Sequence, residues 1–288
     1  MQSFARRTVC PIVVVAFLVG CAPSIRSDPT NLGDYAQPGN ASGRTDTIFY
    51  QEAGMPGNPL VVFVHGTPGS WHAFESYLKH PRLRDTTHMI AVDRLGFGAS
   101  QDSGVQTSFE VQSDAISQVF EANESSRKIV ILGHSLGGSI GLRVALDYPE
   151  QVGGLVIVSS AISPGLGRRR WYNRFAALPL IKHIIPNDLK LANAEVLALR
   201  GELLAIEPTL AGLAIPVTVV QGQKDKLVAA ANADFAEQML VKADLKVKRF
   251  PDDGHFILWE RPDMIVDEIL DLVGRMEPNT ASQVLIPQ

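Results

Sequence analysis

Between residues 45 and 276 the chain alternates short apolar runs with longer amphipathic stretches. Leu60–Val64 reads LVVFV, and residues 89–92, 129–132, 155–158, 217–220 and 245–250 repeat the pattern, preceded by a partly alternating run at 45–51. Most are β-branched and bounded by Gly, Pro or Asp, the signature of strands buried on both faces. Helical periodicity falls between several of them, at 71–78, 111–120, Leu136–Asp147, 229–241 and 264–276. Strand and helix in alternation predict an α/β fold with a mostly parallel sheet flanked by helices. One interval breaks the rhythm: residues 162–213 carry prolines and helix-like stretches but no strand signal, which predicts an inserted helical cap.

The ends of the chain read differently. Arg6 and Arg7 precede an apolar run of eleven residues at 9–19, shorter than the about 17–25 residues that a membrane-spanning helix needs and suited to a signal-peptide core. That run closes on Leu18-Val19-Gly20-Cys21, which resembles a bacterial lipoprotein signal. The resemblance implies a signal peptide over residues 1–20, lipidation of Cys21 and anchoring to a membrane without spanning it. Ala22 after the cysteine resembles the pattern of lipoproteins sent to an outer membrane. Residues 21–44, rich in Pro, Ser, Asp, Asn and Gly, read as a tether with a short strand around Tyr35, and residues 277–288 as an unpatterned tail.

Composition narrows the classes. Hydrophobic residues at 45% and charged residues at 19% exclude wholesale disorder, and a net charge of −4 points away from nucleic acid. The two cysteines are Cys10 and Cys21, so cleavage before Cys21 would leave a single thiol and no disulfide. No HExxH or paired-cysteine metal signature appears.

The chemistry begins at Gly133-His134-Ser135-Leu136-Gly137-Gly138, which follows the run at 129–132 and opens a helical pattern. This is G-x-S-x-G in the context that holds a serine exposed on a sharp strand-to-helix turn. Gly133 and Gly137 flank Ser135 because side chains would crowd so tight a turn. A serine hydroxyl needs a base, and the base an orienting acid. Seven histidines are available. His255, in Asp253-Gly254-His255 just past the last strand pattern, is placed to lean over the sheet edge. For the acid, residues 159–163 offer no carboxylate, whereas Asp225 follows the strand at 217–220. Asp253 has a local claim, but a neighbour in the same turn would fix the ring poorly, so Asp225 is preferred. Leu136 N–H, at a helix N-terminus, and Thr67 N–H, in the loop His65-Gly66-Thr67-Pro68-Gly69-Ser70, are the candidate donors to an oxyanion; Pro68 has none to give.

Together with Asp93-Arg94-Leu95-Gly96-Phe97-Gly98-Ala99-Ser100, these motifs resemble the α/β-hydrolase fold family, and within it the capped esterases and lipases with an HG-x-P turn. The resemblance covers residues 45–276. It implies an eight-stranded, mostly parallel sheet, a Ser135-Asp225-His255 triad, a pocket under the cap and no cofactor. The segment at Asp93 is expected to be structural. Dehalogenases and epoxide hydrolases of this fold use an aspartate where Ser135 stands. Carbon–carbon bond hydrolases, amidases and cofactor-free perhydrolases keep a serine and stay open, as does a binding lipoprotein with a vestigial site. Arg168-Arg169-Arg170 reads as a solvated run, and Trp171, Phe175 and Leu178 as a lid over the pocket.

Overall fold

A computed structural model describes residues 37–42, 47–167 and 186–276, all within the unit Leu32–Gln288. The expected signal sequence, Cys21, most of the expected tether, the tail, and residues Arg168 to Leu178 of the expected cap lie outside the described residues.

Eight strands form one sheet: β1 (Gln37–Ser42), β2 (Thr47–Gly54), β3 (Leu60–Val64), β4 (His88–Asp93), β5 (Ile129–His134), β6 (Val152–Val158), β7 (Pro216–Gly222) and β8 (Asp244–Phe250). Their order is β1-β2-β4-β3-β5-β6-β7-β8. β1 and β2 pair antiparallel with their neighbours, and β3 through β8 run parallel. The expected eight-stranded, mostly parallel sheet is therefore present. β1 falls in the stretch read as tether. Its sequence, QPGNAS, has no apolar periodicity, because it is an edge strand joined to β2 through the main chain.

The helices are α1 (Glu75–Leu78), entered through a 3-10 turn at Trp71–Phe74, then α2 (Pro81–Thr86), α3 (Phe109–Ser117), α4 (Leu136–Asp147), α5 (Asn187–Ile206), α6 (Asn232–Met239), α7 (Ile257–Glu260) and α8 (Pro262–Arg275). Alternate strand residues feed two cores. Val62, Val64 and Ile131 pack under α3, α4 and α6, while Val61, Phe63, Val130 and Leu132 pack under α1 and α8. Every residue of β3, β4, β5 and β6 is buried, at about 1.5–3 kcal/mol for each large aliphatic side chain. Between β6 and β7 no strand occurs among the described residues, and α5 forms the exit arm of the expected cap.

The chain runs from β3 to β4 on one side of the sheet, then returns across β3 to lay down β5 on the other. That reversal is a topological switch point, where the loops beyond the strand ends part and leave a crevice. Val64 and Gly133 are in register there, so the loop after β3 and the turn after β5 emerge side by side.

Candidate active site

Ser135 sits between β5 and α4 with φ 53° and ψ −125°, a conformation costly for a residue with a Cβ. Close packing imposes it. A Cβ on Gly133 would lie 2.3 Å from Gly137 O, and one on Gly137 would lie 2.1 Å from Val64 O. Main-chain atoms thus meet where any other residue would collide, and Ser135 N–H donates to Val158 O at 2.9 Å across the neighbouring strand end. Ser135 is half-buried, and Leu136 N begins the helix directly behind it.

β7 and β8 deliver the other two groups. Gly222 pairs with Phe250 at the strand ends, and Lys224 N–H donates to Asp253 O at 2.9 Å, which binds the two loops together. The Asp225 carboxylate is wholly buried, and its Oδ2 lies 2.8 Å from His255 Nδ1. Its Oδ1 accepts from Leu227 N–H and Val228 N–H, both at 2.8 Å. Burial pushes this carboxyl upward, but the His255 bond and charge and the two N–H donors outweigh it and hold the group below the ordinary carboxylate range. Asp253 turns elsewhere: its Oδ1 accepts from Arg261 Nε at 2.8 Å. Of the two aspartates with a claim on the imidazole, Asp225 is the one in contact with it.

His134 supports that histidine from below. Its Nε2–H donates to His255 O at 3.1 Å, and its ring packs 5.0 Å from the His255 ring and 4.8 Å from Trp259. Burial, with His255 beside it, pushes the His134 imidazole down to about 3, so it stays neutral.

The loop after β3 lies against the elbow. A Cβ on Gly66 would come 2.9 Å from Ser135 Cβ. Thr67 is half-buried and its hydroxyl oxygen is buried without a partner. His65 is fully buried and is held neutral by burial and by Arg94; its Nδ1–H donates to Gly66 O at 2.8 Å. Asp93 joins this loop to the next one. Its oxygens accept from Trp71 N–H at 2.7 Å and Ala99 N–H at 2.8 Å, and Gly98, at φ 53°, leaves the space its carboxylate fills. The segment expected to be structural is bonded accordingly. No cluster of His, Cys, Asp and Glu that could hold a metal ion occurs among the described residues.

Two features were missed in the sequence. Arg94 is buried completely and pairs with Glu195 of α5, and Asn232 Oδ1 accepts from Ile162 N–H and Ser163 N–H, pinning the segment that follows β6. Both join residues 69 or more positions apart, and no local pattern announces them.

A half-buried serine on a strained elbow, an imidazole held by a carboxylate from a separate strand end, and a glycine-lined loop alongside make up the candidate site. The family model for the alpha/beta hydrolase family matches residues 61–268, and the chain belongs to that family. It is 26% identical over 261 residues to 2-hydroxymuconate semialdehyde hydrolase of Pseudomonas sp. (strain CF600), covering 79% of this chain and 90% of that protein. It is 29% identical over 210 residues to sn-1-specific diacylglycerol lipase ABHD11 of Danio rerio, covering 69% of this chain and 64% of the relative. Against two other curated relatives the chain spans less than half of their length, 42% and 31%. A solved membrane phospholipase A shares the fold at a TM-score of 0.61 and 18% identity, over 91% of this chain and 97% of that one.

Proposed function

We propose that this hydrolase cleaves carboxylic esters, with short-to-medium acyl chains or lipid esters as substrates, through an acyl-enzyme formed on Ser135. The observation that carries the reading is the Asp225–His255 contact of 2.8 Å, made between the loops that follow β7 and β8, beside the strained Ser135 turn whose His134 bonds His255 O. In this mechanism His255 Nε2 takes the Ser135 proton as Oγ attacks the ester carbonyl. Asp225 fixes the Nδ1–H tautomer and stabilises the imidazolium. The oxyanion accepts from Leu136 N–H and Thr67 N–H, with the unpaired Thr67 hydroxyl at hand as a further donor. His255 then returns the proton to the leaving alcohol, and water repeats the sequence on the acyl-enzyme. No step calls on a cofactor. The diacylglycerol lipase relative favours an ester; the muconate semialdehyde hydrolase relative supports a second reading, carbon–carbon bond cleavage at the same serine.

Profiling the domain against p-nitrophenyl esters of rising chain length, monoglycerides, aryl amides and a vinylogous diketone separates these readings. Ester turnover blocked by a fluorophosphonate is expected. Diketone or amide cleavage without ester turnover would overturn the ester reading, and an unlabelled, inactive protein would favour a binding lipoprotein.

We further propose that Cys21 is lipidated and holds the domain on a bacterial envelope membrane, the outer membrane in preference to the inner. The Leu18-Val19-Gly20-Cys21 sequence supports this. Cys21→Ser should abolish incorporation of a fatty-acid probe, and undiminished incorporation would refute the anchor.

A further inference from the structure

Arg94 is 0% exposed, an expensive place for a guanidinium unless its donors and its charge are matched. They are matched in two directions. Toward the core, Nε–H donates to His65 O and Nη2–H to Gly66 O, both at 2.9 Å. Toward the cap, Nη1–H and Nη2–H donate to Glu195 Oε1 and Oε2 at 2.5 and 3.2 Å. Glu195 lies on α5 and is itself 4% exposed. The Arg94 main-chain N–H also bonds His65 Nε2 at 3.0 Å, and Phe97 covers the guanidinium at 4.8 Å.

The direction of these bonds has a consequence for catalysis. The Gly66–Thr67 peptide is trans. In a trans peptide the N–H points opposite to the C=O of the same plane. Fastening Gly66 O to Arg94 therefore aims Thr67 N–H away from Arg94. Gly66 meets both groups: its carbonyl accepts from Arg94, and a Cβ on it would come 2.9 Å from that of Ser135.

We propose that Arg94 and Glu195 are positioning residues for the oxyanion donor: the docked cap helix, through Glu195, orients the Arg94 fork, and the fork holds the Gly66–Thr67 plane with its N–H toward the reacting carbonyl. The proposal rests on the ester-hydrolase reading for its kinetic consequence.

A merely structural ion pair and a positioning pair differ in what an uncharged replacement restores. Replacing both members of a buried pair by apolar groups of similar volume commonly preserves stability. Arg94→Met combined with Glu195→Met should therefore stay folded, with its melting temperature lowered only by the donors lost from His65 O and Gly66 O. It should nevertheless lose about 10²-fold in kcat, the scale of one lost oxyanion donor, with KM within about threefold. The Thr67 amide, followed by selective ¹⁵N-threonine labelling and identified through Thr67→Ser, should move or broaden. If the double variant fails to fold, Arg94→Lys serves: a lysine keeps the charge opposite Glu195 but cannot fork across two carbonyls, and the same losses are expected. A folded variant with kcat within about threefold of the parent, or with an unshifted Thr67 amide, overturns the proposal. Should the parent hydrolyse no ester, that failure belongs to the ester reading, and the Thr67 amide alone decides the positioning role.

Discussion

The elbow and the loop beside it leave neighbouring strands in register, yet different forces shape them. At the elbow the main chain makes its own constraint: Gly133, Gly137 and Gly138 bring atoms so close that a Cβ on any of them would fall within 2.1–2.7 Å of a neighbour. The His65–Ser70 loop is fastened by side chains from elsewhere, Arg94 on two of its carbonyls and Asp93 on the N–H of Trp71. Geometry written into glycines cannot relax without unfolding. Geometry held by a guanidinium whose counter-ion is on the cap can. On the proposed reading the turn at Ser135 is thus built rigid, while the Gly66–Thr67 plane depends on a side-chain pair.

Changes in the acid–base pair should bring the largest loss. Asp225→Asn is expected to lower kcat on the order of 10⁴-fold, as loss of the orienting aspartate does in serine proteases. Asp253→Asn, which only breaks a bond to Arg261, should cost about tenfold or less. Steady-state kinetics on both, with circular dichroism to establish folding, checks the pair; a mild Asp225→Asn and a crippling Asp253→Asn would place the acid wrongly. At the elbow, Gly137→Ala should fail through stability. A methyl group 2.1 Å from Val64 O must displace β3 or α4, at about 3 kcal/mol or more, read as a fall in denaturation midpoint. A soluble variant of unchanged midpoint would show the elbow to be softer than argued.

The smallest effect concerns pH. His134 titrates near 3 in the fold and near 6.5 when unfolded, so below pH 6.5 the unfolded chain takes up a proton the folded one refuses. Stability should fall on acidification by about 1.4 kcal/mol per pH unit for such a group. His65, also held low by burial, acts in the same direction. Asp93 opposes them: burial raises it to about 6, so the folded state takes its proton first and gains stability between pH 6 and about 4. With His72 and the carboxyls of Asp225 and Glu268 also held low, the balance is a net loss. Denaturation curves from pH 7 to 4 should show it, and His134→Asn should flatten it; a curve unaffected by that substitution would contradict a neutral buried His134.

What the sequence discloses follows the same division. Leu60–Val64 and Leu136–Asp147 have the predicted bounds because their burial and periodicity are local. The elbow is legible because glycine at close approach is also local. β1 is legible only as a short strand near Tyr35 and not in its bounds, since an edge strand draws on main-chain bonds and QPGNAS carries no pattern. The Arg94–Glu195 pair spans 101 positions and depends on where a cap helix docks. β8 is a third case: DLKVKRF alternates, with Lys246 and Lys248 both reaching Glu268 of α8. Charges on an outer strand discourage further pairing there.

The covalent intermediate provides the most direct test. The domain would be mixed with a p-nitrophenyl ester, quenched within milliseconds, digested and analysed by mass spectrometry. The account predicts an acyl adduct on the peptide holding Ser135, formed with the burst of nitrophenol and absent in Ser135→Ala. Undiminished turnover in Ser135→Ala, or an adduct on another residue, would contradict it.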